Sequence, residues 1–142
     1  MILDTTYFLP LAQIAVDTDL LAAVAKKKTD LKLEDISLSL ISIFELQAKA
    51  AKLNVPAKST IRAVDAILSA FRVVPFYEGE VIETAQKMRK IISDYVDCII
   101  LATAIANKED LVTEDSIVSE KKKKLLKDYN LKVLNFTNLI ET

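Results

Sequence analysis

The sequence predicts a single α/β domain built on one parallel sheet with helices on both faces. Three observations lead there. Short apolar stretches alternate with helix-patterned stretches from end to end. Hydrophobic residues make up 51% of the 142, with one Gly and three Pro, which excludes disorder and linker character. No repeat or low-complexity tract divides residues 1–142, a length that buries roughly 70% of the unfolded chain's surface in one core. Strands that alternate with helices pair in parallel, each crossover helix covering a face.

The elements follow in order. Met1-Ile-Leu is a short strand ending at Asp4. Thr5 and Thr6 carry hydroxyls suited to cap the next helix, whose first turns must hold Pro10 or kink there. Asp17-Thr18-Asp19 open a helix running from Leu20 to Lys28, acidic at its start and basic at its end as the helix dipole favours. Apolar alternation at Ile36, Leu38 and Leu40 predicts a strand. Ser42 to Leu53 reads as a helix stopped near Asn54 and Pro56, and Ser59 as the cap of a helix from Thr60 to Phe71. Arg72 to Phe76 is a strand closed by Pro75. Helices follow over Glu80–Ile92 and, unusually apolar, Tyr95–Ala106. Leu111–Thr113 is a short strand, Ser116–Tyr129 a helix, and Leu131–Phe136 the last strand.

Composition removes whole chemistries. The chain has no His, which excludes Ser-His-Asp and Cys-His nucleophilic sites and His-ligated zinc. A single glycine, Gly79, excludes phosphate-cradling and dinucleotide-binding loops, which need several. One cysteine, Cys98, cannot form an internal disulfide and reads as a small buried hydrophobe. Nineteen basic against twenty acidic residues give a net charge of −1, so any attraction for a polyanion must be local. The longest apolar run, Cys98 to Ala106, is far shorter than the ~20 residues of a membrane span, and no basic leader precedes the first strand. A cytoplasmic protein without membrane contact is the expectation.

Carboxylates, lysines, hydroxyls and whatever metal they hold remain for chemistry. In open parallel sheets ligands bind beyond the carboxyl ends of the strands, where strand order reverses. Asp4 ends the first strand, Asp115 follows the Leu111–Thr113 strand by two residues, Glu45 lies one turn into the helix after the second strand, and Asp97 opens the apolar helix leading to Leu111. All four fall at one edge of the sheet. Carboxylates gathered without imidazole or thiolate suit Mg²⁺ or Mn²⁺. Taken singly, three have structural alternatives. Ser42-x-x-Glu45 fits a capping box, Asp97 or the neighbouring Asp94 can serve a helix N-terminus, and Asp115 can cap the next helix. Asp94 is the alternative ligand should Asp97 point away.

Met1-Ile-Leu-Asp4-Thr-Thr, Ile41-Ser-Ile-Phe-Glu45-Leu, Asp97-Cys-Ile-Ile-Leu-Ala-Thr-Ala-Ile-Ala and Leu111-Val-Thr113-Glu-Asp115-Ser resemble the four signature blocks of PIN-domain ribonucleases, in order and over essentially the whole chain. The third and fourth blocks are the specific ones. At single-domain length the chain is most similar to VapC-type toxins and their archaeal relatives. Ser116-Ile117-Val118 stands where the family often carries a glycine and an aromatic, and Pro10 is unusual inside the first helix; neither departure removes an acid. The resemblance implies a three-layer α/β/α fold with strand order 3-2-1-4-5. It implies that Asp4, Glu45, Asp97 and Asp115 bind Mg²⁺ or Mn²⁺, with Thr113 and Thr5 in support.

The activity so implied is metal-dependent endoribonuclease cleavage of RNA, in the toxin of a toxin–antitoxin pair with an antitoxin protein as partner. Two other functions compete. A non-catalytic interaction module on the same fold would bind partners without cutting RNA. A haloacid-dehalogenase-type phosphatase also starts with an apolar strand ending in Asp, but needs a second Asp two residues on, where Thr6 stands. Lys121–Lys124 and Lys26–Lys28 read as solvated helix faces, whereas Arg62, Lys49 and Lys52 are candidate RNA contacts. Tyr7 and Phe8 read as core. A mean hydropathy of +0.26 and the apolar excess of the Ser59–Phe71 helix predict a homodimer through that helix and its neighbour Glu45–Leu53.

Overall fold

The computed structural model describes residues 1–140. Five strands form one sheet: β1 (Ile2–Leu3), β2 (Ser37–Ser39), β3 (Arg72–Val74), β4 (Leu111–Val112) and β5 (Val133–Leu134). All pairs are parallel and the order is 3-2-1-4-5. β1 is therefore central, with Ile2 opposite Ser37 on one side and Leu111 on the other. Strand order reverses at β1 and β4, so the crevice beyond their carboxyl ends is where this architecture binds ligands.

The two residues of β1 show how the layers form. Successive strand side chains point to opposite faces. Ile2 packs into a core with Val81, Ala85, Met88 and Leu101, supplied by α4 (Gly79–Met88) and α5 (Tyr95–Ala106). Leu3 packs into a second core with Tyr7, Phe8, Leu46 and Ile67, beneath α2 (Leu40–Lys52) and α3 (Ala57–Ala70). α5 buries every residue from Cys98 to Ala104, which explains its lack of a polar stripe. Among the described residues no helix is long and apolar enough to cross a membrane.

Element boundaries differ from the sequence expectations for identifiable reasons. The segment after Asp4 is a 3-10 helix, Thr5–Ala12, with Pro10 inside. A proline lacks an N–H and its ring would meet the carbonyl four residues back in an α-helix, which a tighter helix avoids. The Leu20 helix, α1, ends at Ala25, and Lys26 to Lys28 lie beyond it. β2 stops at Ser39 because the Ser39 hydroxyl accepts the Ile41 N–H (3.3 Å) and caps α2 two residues earlier than expected. α3 begins at Ala57, not after Ser59, since the Pro56 carbonyl takes the Ser59 N–H at 2.9 Å. The expected Ser116–Tyr129 helix is two, α6 (Ser116–Glu120) and α7 (Lys122–Tyr129), because the Lys121 N–H turns back to the Val118 carbonyl (3.0 Å). β5 ends at Leu134 where Asn135 leaves the ladder to cap α8 (Phe136–Leu139) in a reciprocal box with Asn138.

Candidate active site

Asp4 leaves the central strand with its N–H still bonded to the Val112 carbonyl (2.9 Å), which fixes it beside β4. Its carboxylate accepts the Thr5 N–H at 2.8 Å through Oδ1 and the Thr113 hydroxyl at 2.7 Å through Oδ2. The Thr113 oxygen in turn accepts the Asp115 N–H at 3.1 Å. One buried hydroxyl thus links the acid after β1 to the backbone of the acid after β4. Asp115 also caps α6, taking the Val118 N–H at 3.0 Å. That cap uses one carboxylate oxygen and leaves the other free of the bond.

Glu45 lies in the second turn of α2 and takes no part in capping; the Ser42-x-x-Glu45 box does not form, because Ser39 caps that helix. Instead the Thr5 hydroxyl donates to Glu45 Oε1 at 2.6 Å, with the buried Ser42 hydroxyl 3.0 Å from the same Thr5 oxygen. Ser42 is a supporting residue that sequence reasoning assigned to a cap. Its position three residues before Glu45, one helical turn away, was the available signal. Asp94 caps α5, accepting the Asp97 N–H at 3.2 Å. Asp97 then projects from the first turn of that helix.

The electrostatics tie these acids together. Burial pushes the Asp4 carboxyl up; the Thr113 and Thr5 hydrogen bonds oppose this, and the Asp115 charge adds to it. Glu45 is raised first by burial, against the Thr5 hydrogen bond, and then by the charges of Asp4 and Asp94. Asp97 is raised to about 7, by burial first and then by Asp94, Asp4, Asp115 and Glu45 together. Asp97 therefore feels every other acid of the set. None of the three ion pairs among the described residues involves any of these carboxylates. Hard oxygen donors with mutual repulsion and no basic partner fit a divalent cation in kind. Among the described residues no three candidate ligands stand close enough together to hold a cation as they are placed.

Beside the acids runs a cavity of about 420 Å³ whose lining includes Thr5, Phe44, Glu45, Lys49, Lys52 and Val96. Phe44 is 63% exposed, an aromatic face next to the acids. Lys49 and Lys52 place positive charge at the same cavity; Arg62 is exposed on α3 and does not line it.

A pH dependence follows from Asp97. The folded state keeps its proton to about pH 7, whereas an unfolded chain releases it near 3.8. Stability from this group is full below the unfolded value and is lost as pH rises through about 7. In chelator the melting temperature is expected to fall by several degrees between pH 5 and 8, and Asp97→Asn to flatten that slope. An unchanged slope in the variant would show that Asp97 is not the group responsible.

The family model for the PIN domain matches residues 1–124. None of the curated proteins matches the sequence significantly. Among solved structures, FitAcB from Neisseria gonorrhoeae is similar at 24% identity and a TM-score of 0.68, covering 97% of this chain and 99% of that one. VapBC2 from Rickettsia felis, bound to a DNA fragment from its promoter, is similar at 24% identity and a TM-score of 0.61, over 94% and 96%. A toxin–antitoxin complex from Klebsiella pneumoniae is similar at 22% identity and a TM-score of 0.59, over 81% and 86%.

Proposed function

The chain belongs to the PIN-domain family, and from that premise we propose that it is a Mg²⁺- or Mn²⁺-dependent endoribonuclease, the toxin of a toxin–antitoxin pair. The observation that carries this reading is that Asp4, Glu45 and Asp97 are each raised by burial and by neighbouring acids, Asp115 among those acting on Asp4 and Asp97, with no basic partner for any of the four. Asp4, Glu45, Asp97 and Asp115 would hold the cation. When bound, it supplies charge neutralisation at a phosphodiester and a lowered pKa for attacking water. The protein's own part is orientation. Thr113 fixes Asp4 relative to Asp115, and Thr5 fixes Glu45 relative to Asp4. Lys49 and Lys52 offer phosphate contacts beside the acids, and exposed Phe44 a surface for a base. The antitoxin expectation draws on the complexes of similar fold. The test is incubation with single-stranded and hairpin RNAs in Mn²⁺, with and without chelator. Cleavage abolished by chelation supports the reading; no cleavage of any RNA, or cleavage indifferent to chelator, overturns it.

We also propose a homodimer through α2 and α3. Only Ala63 and Ile67 of α3 are buried, while Ile61 and Leu68 are 60% and 58% exposed and Leu53 at the end of α2 is 50% exposed. The monomer leaves this apolar face uncovered, and pairing two copies would bury it. Light scattering at micromolar concentration is expected to give twice 15.8 kDa, and Ile61→Glu with Leu68→Glu to give the monomer mass. A wild-type particle of 15.8 kDa contradicts the dimer.

A further inference from the structure

We propose that Glu114 is a positioning residue for the acid site, acting with Tyr7 and the Phe136 amide as a brace that holds the loops of Asp4 and Asp115 in register. This rests on the metal-site reading above.

Those two acids follow adjacent central strands, and the ladder between them ends at the bond from Asp4 N–H to the Val112 carbonyl. Beyond it two side-chain links join the loops. One is Thr113 to Asp4, inside the site. The other is made by Glu114, between Thr113 and Asp115, whose Oε2 accepts the Tyr7 hydroxyl and, at 2.8 Å, the Phe136 N–H. Tyr7 is fully buried in the core beneath α2 and α3, so its hydroxyl needs a hydrogen-bond partner, and it reaches Glu114 in the loop after β4. Bonds from a phenol and an amide to a carboxylate are charge-assisted and directional. Glu114 has no ion-pair partner among the described residues. The residue is exposed, so the two bonds and not burial fix its carboxylate in place. Its two donors come from opposite ends of the chain. Tyr7 lies three residues after Asp4, and Phe136 opens α8 beyond the family match at 124. Thr113 and Asp115, flanking Glu114, serve the site while Glu114 turns to the brace.

The test compares the wild type with Tyr7→Phe, Glu114→Ala and Glu114→Gln. Two quantities are read: the Mn²⁺ concentration giving half the metal-induced rise in melting temperature, and kcat and KM for RNA cleavage. Tyr7→Phe keeps the buried ring and removes the donor. It and Glu114→Ala are expected to raise the Mn²⁺ midpoint and lower kcat by roughly tenfold each, with KM little changed. Glu114→Gln, whose amide oxygen can accept both bonds, is expected within about threefold of wild type by the same comparison. If Tyr7→Phe and Glu114→Ala lower only the melting temperature in chelator, leaving the Mn²⁺ midpoint and kcat at wild-type values, the brace is structural and the proposal fails. Should Glu114→Gln be as impaired as Glu114→Ala, charge and not bracing is responsible, which also overturns it. Were Glu114→Ala not to fold, Tyr7→Phe decides alone. A wild type without any Mn²⁺ response overturns the metal-site reading itself, and the proposal with it.

Discussion

Asp4→Asn is expected to lower RNA cleavage in Mn²⁺ by at least about 10³-fold, while the protein melts at the same or a higher temperature in chelator. The loss corresponds to roughly 4 kcal/mol of transition-state stabilisation, what removing a carboxylate ligand from a metal-dependent site entails. The fold should tolerate the change because the bonds can be kept. The carbonyl of an asparagine side chain there still accepts the Thr5 N–H now held at 2.8 Å. Its amide can donate to the Thr113 oxygen that at present gives its proton to Asp4. What disappears is a carboxylate charge that burial disfavours and Asp115 repels. Removing it relieves that repulsion in the metal-free protein, the stability–activity trade-off seen where a site is built against its own charges. Cleavage at the wild-type rate, or unfolding of the variant, would each contradict the role given to Asp4.

Asp115 has two jobs that substitution can separate. Its carboxylate caps α6 through the Val118 N–H and also belongs to the acid set. Asn caps helices about as well as Asp, whereas Ala loses roughly 1 kcal/mol. Asp115→Asn is therefore expected to lower cleavage by about 10²-fold or more with an unchanged melting temperature, on the scale of a lost metal ligand. Asp115→Ala should show the same activity loss and melt about 3–5 °C lower in addition. If Asp115→Asn retained full activity and only Asp115→Ala lost it, Asp115 would be a cap alone.

Much of this arrangement was legible in the residues. Alternating short apolar runs and helices led to the parallel sheet, and acids placed just after apolar runs led to the crevice edge. The resemblance of the four blocks supplied strand order 3-2-1-4-5, which the sheet has. The apolar helix Tyr95–Ala106 has the expected bounds because burial on all sides leaves no ambiguity of face. The misreadings cluster where serine, proline and lysine allow two local solutions. Ser39 and Ser42 can each cap α2, and strand geometry at Ser37–Ser39 selects the first. Pro10 permits a 3-10 helix as readily as a displaced α-helix. The brace was not legible at all. Tyr7 and Glu114 are 107 residues apart, and no local pattern announces that a buried hydroxyl will meet a carboxylate from another loop.

Whether the acids hold a divalent cation is decided by anomalous diffraction from crystals soaked in Mn²⁺. Anomalous signal is expected at the carboxyl edge of the sheet, among the carboxylates of Asp4, Glu45, Asp97 and Asp115. No peak there, or Asp97 and Asp4 carboxylates more than roughly 8 Å apart around the soaked site, would contradict it.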